Sequence, residues 1–149
     1  MKKTRSAAKK RKTKDRRPSR AMLAALTALA REARERARAP YSGFKVGAAL
    51  KTRTGEIVTG CNIENASYGL TLCAERVAVF KAVSEGLDDF DAIAVVARSK
   101  RLTPPCGPCR QILWEYCGDI AVHMADLKGR SRTMRLSALL PLPFDATNL

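Results

Sequence analysis

Two short stretches of this 149-residue chain hold side chains able to do chemistry together: Cys73-Ala-Glu-Arg76 and Pro105-Cys-Gly-Pro-Cys109. Both open segments of helical pattern, so their thiols fall at helix N-termini. There the unpaired backbone N–H groups and the helix dipole favour the thiolate. Three thiolates, Cys73, Cys106 and Cys109, with a water in the fourth place make the open coordination of a catalytic zinc; a closed structural site asks for a fourth protein ligand. Glu75 lies two residues from Cys73. Residues two apart on a helix face different directions, so a ligand and a proton carrier can address one water from different sides. Zinc lowers the pKa of such a water, to about 7 in favourable sites. Three thiolates also leave the ion with a negative formal charge, which blunts its Lewis acidity. Arg76, three residues after Cys73 and on the same helical face, is placed to offset this by donating to a ligand sulfur.

The same cysteines admit other readings. Cys106-Gly-Pro-Cys109 is letter for letter the redox tetrapeptide of thioredoxins, although Cys73 and Glu75 have no place in a dithiol mechanism. A structural zinc site would need Cys61 or Cys117 as its fourth ligand, and the adjacent Glu75 argues against it. Otherwise Cys61 and Cys117 read as ordinary buried thiols. The single histidine, His123, lies off the apolar face of its strand and reads as a structural or surface residue.

The elements that must position these groups follow from periodicity. Leu23, Leu26, Ala30, Ala33 and Ala37 recur at helical spacing, which predicts a first helix through Arg38 before Pro40 blocks it. Phe44–Lys51 and Glu56–Asn62 read as strands joined at Thr54-Gly55, a hairpin. Leu72–Glu85 is helical, with Val77, Phe80 and Val83 as apolar positions and Gly86 as its stop. Ala92–Ala97 is a short unbroken apolar run, the pattern of a strand buried on both faces. Gly107–Cys117 reads as a helix closed by Gly118. Ile120, Val122 and Met124 alternate as a strand, followed by a turn at Asp126–Gly129, a weaker strand near Ser131–Arg135 and a last helical turn before Pro141. This order predicts an α/β layered domain, a mixed sheet with helices on its faces.

Charge is unevenly placed. The chain carries a net +14, but residues 1–20 alone hold eleven Lys and Arg against Asp15. Residues 1–20 contain almost no apolar side chains and are expected to form a disordered basic arm, with the domain spanning 21–149. The apolar stretch after the arm superficially resembles a secretory leader, but its amphipathic continuation favours a first helix and a cytoplasmic protein. In that compartment five cysteines stay reduced and point to metal or catalysis. No apolar run is long enough to span a bilayer, so no membrane partner is expected.

The Cys-x-Glu and Pro-Cys-x-x-Cys pair matches the signature of the zinc deaminases, with Cys73 where histidine is usual. In that chemistry Glu75 takes the water's proton, passes one to ring N3 and later delivers one to the departing amine. Together with Tyr41-Ser-Gly-Phe-Lys-Val-Gly-Ala-Ala49, Gly60-Cys-Asn-Ile-Glu-Asn65, Pro105-Cys-Gly-Pro-Cys-Arg-Gln111 and Leu139-Leu-Pro-Leu-Pro-Phe144, the sequence closely resembles the small, homotetrameric class of cytidine deaminases. The resemblance runs from about Ala21 to Leu149, in five ordered blocks at matching separations.

What the resemblance implies is a three-layer cytidine deaminase-like fold, a mixed five-stranded sheet with helices on both faces. It implies one Zn2+ per subunit, a nucleoside substrate, cytidine or deoxycytidine, and a role in pyrimidine salvage. It assigns Asn62 and Glu64 to the ribose, chiefly its 3′-hydroxyl, and Phe44 to the pyrimidine. The pyrimidine-reading main chain falls at Ala74 and at Pro104. The class more often has a small polar residue where Pro104 stands, but the accepting carbonyl survives in proline. Tyr68 and Phe144 would reach a neighbouring subunit's site, so that a homotetramer shares its pockets. The basic arm lies outside the family pattern.

Three rival readings compete with this one. The arm would suit an editor of cytosine or adenosine in nucleic acid, or non-specific contact with nucleic acid, through phosphate attraction. Deamination of a cytosine-containing antibiotic such as blasticidin S would use the same scaffold. A nucleic-acid-binding module with structural zinc, or a nuclear-import role for Lys9-Lys-Arg-Lys12, would account for the basic run. The minimal domain and the Asn62–Glu64 pair favour a free nucleoside.

Overall fold

The computed structural model of the chain describes residues 17–149; residues 1–16 of the expected arm lie outside the described residues. The first helix, α1 (Arg20–Glu35), begins at the last residue assigned to that arm, because Ser19 caps it. The Ser19 hydroxyl accepts from the Met22 N–H at 3.1 Å, a cap that stabilises a helix by about 1 kcal/mol. After it come strands β1 (Val46–Thr52) and β2 (Ile57–Cys61), helix α2 (Ala74–Ser84) and strand β3 (Phe90–Ala97). Helix α3 (Gly107–Cys117), strands β4 (Ala121–Ala125) and β5 (Ser131–Arg135) and the short helix α4 (Leu136–Leu139) complete the domain.

The strands form one sheet in the order β2-β1-β3-β4-β5. Only β3 and β4 run parallel, with α3 as their crossover; the remaining pairs are antiparallel. The sheet is therefore mixed and five-stranded, as expected. Alternation along β3 sends Ile93 and Val95 to one face and Ala92, Ala94 and Val96 to the other. Helices α2 and α3 cover the first face through Ala78, Val79 and Leu113. Helix α1 covers the second through Leu26 and Ala30. Both faces being covered explains why β3 reads as a continuous apolar run.

Two glycines set how closely the layers approach. A Cβ on Gly47 would stand 1.9 Å from the Ala30 carbonyl oxygen, and one on Gly60 would stand 2.4 Å from that of Ala74. Glycine at these points lets α1 and the first turn of α2 rest directly on the β1–β2 hairpin. That first turn is where Cys73 and Glu75 are held.

The first helix is shorter than its periodicity predicts. It ends at Glu35, with Arg36 as the cap. Arg38 instead leaves the helix for a parallel bridge with Ile63, which is bridged in turn to Leu72. The bridge is built from Arg38 N–H to the Asn62 carbonyl (3.0 Å) and Glu64 N–H to the Arg38 carbonyl (2.8 Å). Backbone groups of the 62–72 loop thus find partners in the α1–β1 connection, a demand that outweighs three further residues of helix. The β1 strand starts at Val46 rather than Phe44, since a side chain, that of Asn62, takes the backbone groups there.

Candidate metal centre

Cys73 is the N-cap of α2 and Cys106 the N-cap of α3. Cys109 lies one turn into α3 and is buried. The three Sγ atoms all lie within 4.8 Å of one another, and Cys73 and Cys106 are 3.8 Å apart. Two helix starts, separated by 33 residues in sequence, thereby aim their free N–H groups at one cluster of sulfur. Cys61 and Cys117 are not part of it. The structural-site alternative thus lacks its fourth cysteine. For the redox alternative, Cys73 is a third thiol that a dithiol mechanism leaves unused.

The donor set fits a zinc ion. Within the cluster the Cys109 thiol donates to Cys73, which lowers the Cys73 pKa despite its partial burial. Cys109, as the donor, is pushed the other way. Arg76 Nη2 adds to this: it lies 3.9 Å from Cys73 Sγ and donates to the Thr71 carbonyl at 2.6 Å. Its Nε is buried without a hydrogen-bond partner among the described residues. A guanidinium held this close suits a site dense in negative sulfur.

Glu75 is 4% exposed, on the next residue but one from Cys73. Burial pushes its carboxyl up to about 7; the Cys73 charge acts in the same direction, and Arg76 and the Cys109 thiol oppose it. A buried carboxyl poised near neutrality beside the thiol cluster has the chemistry of a proton carrier.

The neighbouring loops carry the remaining candidates. Asn62 Nδ2 donates to the Phe44 carbonyl at 2.9 Å and its Oδ1 accepts from the Val46 N–H at 2.8 Å. The amide therefore pins the backbone that carries Phe44, while each polar end keeps one further hydrogen-bonding capacity. Glu64 Oε2 accepts from the N–H groups of Tyr41 (2.8 Å) and Ser42 (3.2 Å). Its Oε1 accepts from the Ser42 hydroxyl. These bonds, the hydroxyl first, hold the Glu64 carboxyl below its ordinary range. Tyr41, Ser42, Glu64, Tyr68 and Thr71 line a cleft of about 350 Å³, at the lower end of small-molecule pockets.

Tyr68 is 75% exposed and Phe144 61% exposed, whereas Ala74 is fully buried and Pro104 exposed. Phe144 is anchored by its carbonyl, which accepts from Gln111 Nε2 at 2.6 Å. His123 is buried in β4 with Nδ1 2.8 Å from the Thr133 hydroxyl, remote from the thiol cluster, and is structural. Sequence reasoning gave no role to Tyr41 and Ser42 or to Thr71. The only signal was that Tyr41 and Ser42 stand in a motif block; their partner, Glu64, lies over twenty residues away.

Comparison with known proteins agrees with this geometry. The sequence profile described as the cytidine and deoxycytidylate deaminase zinc-binding region matches residues 20–124. A cytidine deaminase of Halalkalibacterium halodurans is 54% identical over 119 residues, 79% of this chain and 90% of that protein. A blasticidin-S deaminase of Bacillus cereus is 37% identical over 107 residues, 66% of this chain and 76% of that protein. The crystal structure of cytidine deaminase from Burkholderia pseudomallei superposes with a TM-score of 0.80 at 47% identity, covering 81% of this chain and 98% of that one.

Proposed function

This chain belongs to the cytidine and deoxycytidylate deaminase family, and we propose that it hydrolyses cytidine and deoxycytidine to uridine and deoxyuridine with release of ammonia. The observation that carries the reading is the thiol triad at two converging helix starts with buried Glu75 beside it.

Cys73, Cys106 and Cys109 would hold the zinc. Bound there, the ion supplies a Lewis acid that makes a water nucleophilic near neutral pH. Glu75 accepts a proton from the attacking water and returns it to ring N3. In the second half it carries the remaining proton, from the new C4 hydroxyl, to the 4-amino nitrogen, so that the C4–N bond breaks with ammonia as the leaving group and a carbonyl oxygen remains on C4. A positioned carboxyl of this kind contributes about 10²–10⁴ in rate. Arg76 holds Cys73 and withdraws charge from it. Phe44 packs on the pyrimidine, and the main chain at Ala74 and Pro104 reads its edge. Asn62 and Glu64 take the ribose hydroxyls with the hydrogen-bonding capacity that the Phe44 and Ser42 contacts leave free. The buried Asn62 amide left unpaired would penalise a ligand lacking those hydroxyls, and the partly exposed Glu64 carboxylate would add less.

The enzyme is a homotetramer in which the exposed rings of Tyr68 and Phe144 complete a neighbour's pocket, and it serves pyrimidine salvage in the cytoplasm. The support is the open, small cleft of the single chain and the exposure of both rings. No helix among the described residues is long and apolar enough to cross a membrane.

The test follows the absorbance change of cytosine becoming uracil with cytidine as substrate, beside a Glu75→Gln variant checked for zinc. Turnover that disappears in a zinc-loaded variant confirms both the activity and the proton carrier. Zinc-loaded tetramer with no turnover would overturn the nucleoside assignment and with it the roles of Asn62 and Glu64.

A further inference from the structure

Three hollows among the described residues lie away from the thiols, along the face made by α1, β4 and β5. Helix α1 packs over β1 and β3 through small residues and stops short of β5, leaving that strand exposed along Ser131–Thr133. The resulting groove, of about 720 Å³, has Arg20, Arg31 and Arg132 on its walls. A second hollow of about 500 Å³ adjoins it at Leu23 and Thr133 and adds Arg17 and Arg135. A third, of about 800 Å³, begins beside Gly129 and is lined by Arg98, Lys100, Lys128 and Arg130.

Few of these charges are neutralised. Arg130 pairs with Asp126 at 2.5 Å and Arg135 with Asp119 at 3.2 Å. Arg31 spends its donors on the carbonyls of Asp126 and Leu127, which carry no net charge. Arg17, Arg20, Arg98, Lys100, Lys128 and Arg132 take part in none of the ion pairs among the described residues. Arg17 is also where the sequence of the basic arm meets the described fold, bringing nine more Lys and Arg in residues 1–16 against Asp15.

Charge decides the occupant. The arm shares the sign of the grooves and cannot fill them, and two copies of this face repel one another. The walls hold no Phe, Tyr or Trp, His123 is buried, and the apolar Leu23 and Met134 are half-buried, whereas a membrane-inserting surface or a single-strand stacking platform needs protruding apolar or aromatic side chains. What remains is a run of fixed cations matched to a regular polyanion.

We infer that this face binds the phosphate backbone of double-stranded nucleic acid without regard to sequence, and that residues 1–16 extend the contact. The inference deepens the expectation that the arm contacts nucleic acid and is independent of the deaminase reading.

The experiment titrates zinc-loaded full-length protein against a fluorescent duplex of about 20 base pairs over a salt series, because each phosphate contact adds about −0.9 to the slope of log affinity against log salt. Arg20→Glu/Arg132→Glu should bind less tightly, with a slope shallower by about two, and should deaminate cytidine as wild type does. Arg98→Glu/Lys128→Glu, at the far end of the face, should do the same and serves if the first variant misfolds. Deleting residues 2–16 should weaken binding but leave a salt-dependent remainder. Wild-type duplex affinity and slope in both charge-reversed variants would overturn the inference. So would loss of all duplex binding on deleting the arm, or binding confined to phosphatidylserine vesicles. Cytidine turnover, read on the same samples, reports separately on the deaminase assignment.

Discussion

Replacing Gly60 by alanine adds one methyl group at the point where α2 rests on the sheet. That Cβ would stand 2.4 Å from the Ala74 carbonyl oxygen and 2.6 Å from the Ala78 nitrogen, both backbone atoms of α2. Relief to ordinary contact needs a shift of about 1 Å. No rotamer change can supply it, so α2 must move off β2 and carry Cys73 and Glu75 with it. Overpacking of this kind costs about 1–3 kcal/mol, which for a domain of this size lowers Tm by roughly 3–10 °C. A misplacement of about 1 Å at the chemistry costs about 10²-fold in rate. Turnover should therefore fall far more than the folded fraction does. Gly107→Ala is the control: it stands between two of the thiols in sequence, yet its Cβ would meet nothing within 4 Å. It should shift stability by no more than about 0.5 kcal/mol. Thermal melts and initial rates on cytidine, with zinc content measured on each sample, decide the matter. Gly60→Ala with wild-type Tm and kcat, or Gly107→Ala as damaging as Gly60→Ala, would refute the reasoning.

Other perturbations have equally definite outcomes. With Glu64 in its proposed ribose role, Glu64→Gln removes the charge that holds the Tyr41–Ser42 turn and should raise KM for cytidine roughly ten- to a hundredfold, more than it lowers kcat. Ser42→Ala should reproduce part of that rise, and an unchanged KM in both would dismiss the clamp. Arg76→Ala should lose zinc to a chelator at roughly ten to a hundred times lower chelator concentration, with Arg76→Lys recovering part of the difference. Equal chelator resistance in wild type and Arg76→Ala would show that the guanidinium does not support the metal. Glu56 accepts from the hydroxyls of Thr52 and Thr54, which hold its carboxyl down at about 2 against an ordinary 4.5. A folded-state pKa below the unfolded one gives stability that is present above about 4.5 and lost as the pH falls towards 2. Melting temperature should thus decline over that interval in wild type and less steeply in Glu56→Gln; parallel curves would contradict it.

The sequence by itself determined the chemistry and most of the secondary structure. Cys73, Glu75, Arg76, Cys106 and Cys109 are legible because each half of the centre is a local motif at a helix start, where backbone polarity and residue spacing are fixed within one turn. The buried strand at Ala92–Ala97 and the helix at Gly107–Cys117 are legible for the same reason, since period and punctuation are local properties. What the tertiary structure decided is everything that depends on partners distant in the chain. Only the β3–α3–β4 crossover and the packing of α2 on the Gly60 strand bring Cys73 within 3.8 Å of Cys106. Only the zipped loops show that Asn62 holds the Phe44 backbone and that Glu64 closes on Ser42. The early end of α1 belongs here too: periodicity favours helix to Arg38, but the unpaired backbone of the 62–72 loop recruits Arg38 into a bridge. The basic grooves follow the same logic, because arginines scattered from Arg17 to Arg135 become one surface only where α1 stops short of β5. Local pattern encodes what a residue is able to do, and long-range backbone pairing and layer packing settle which residues do it together.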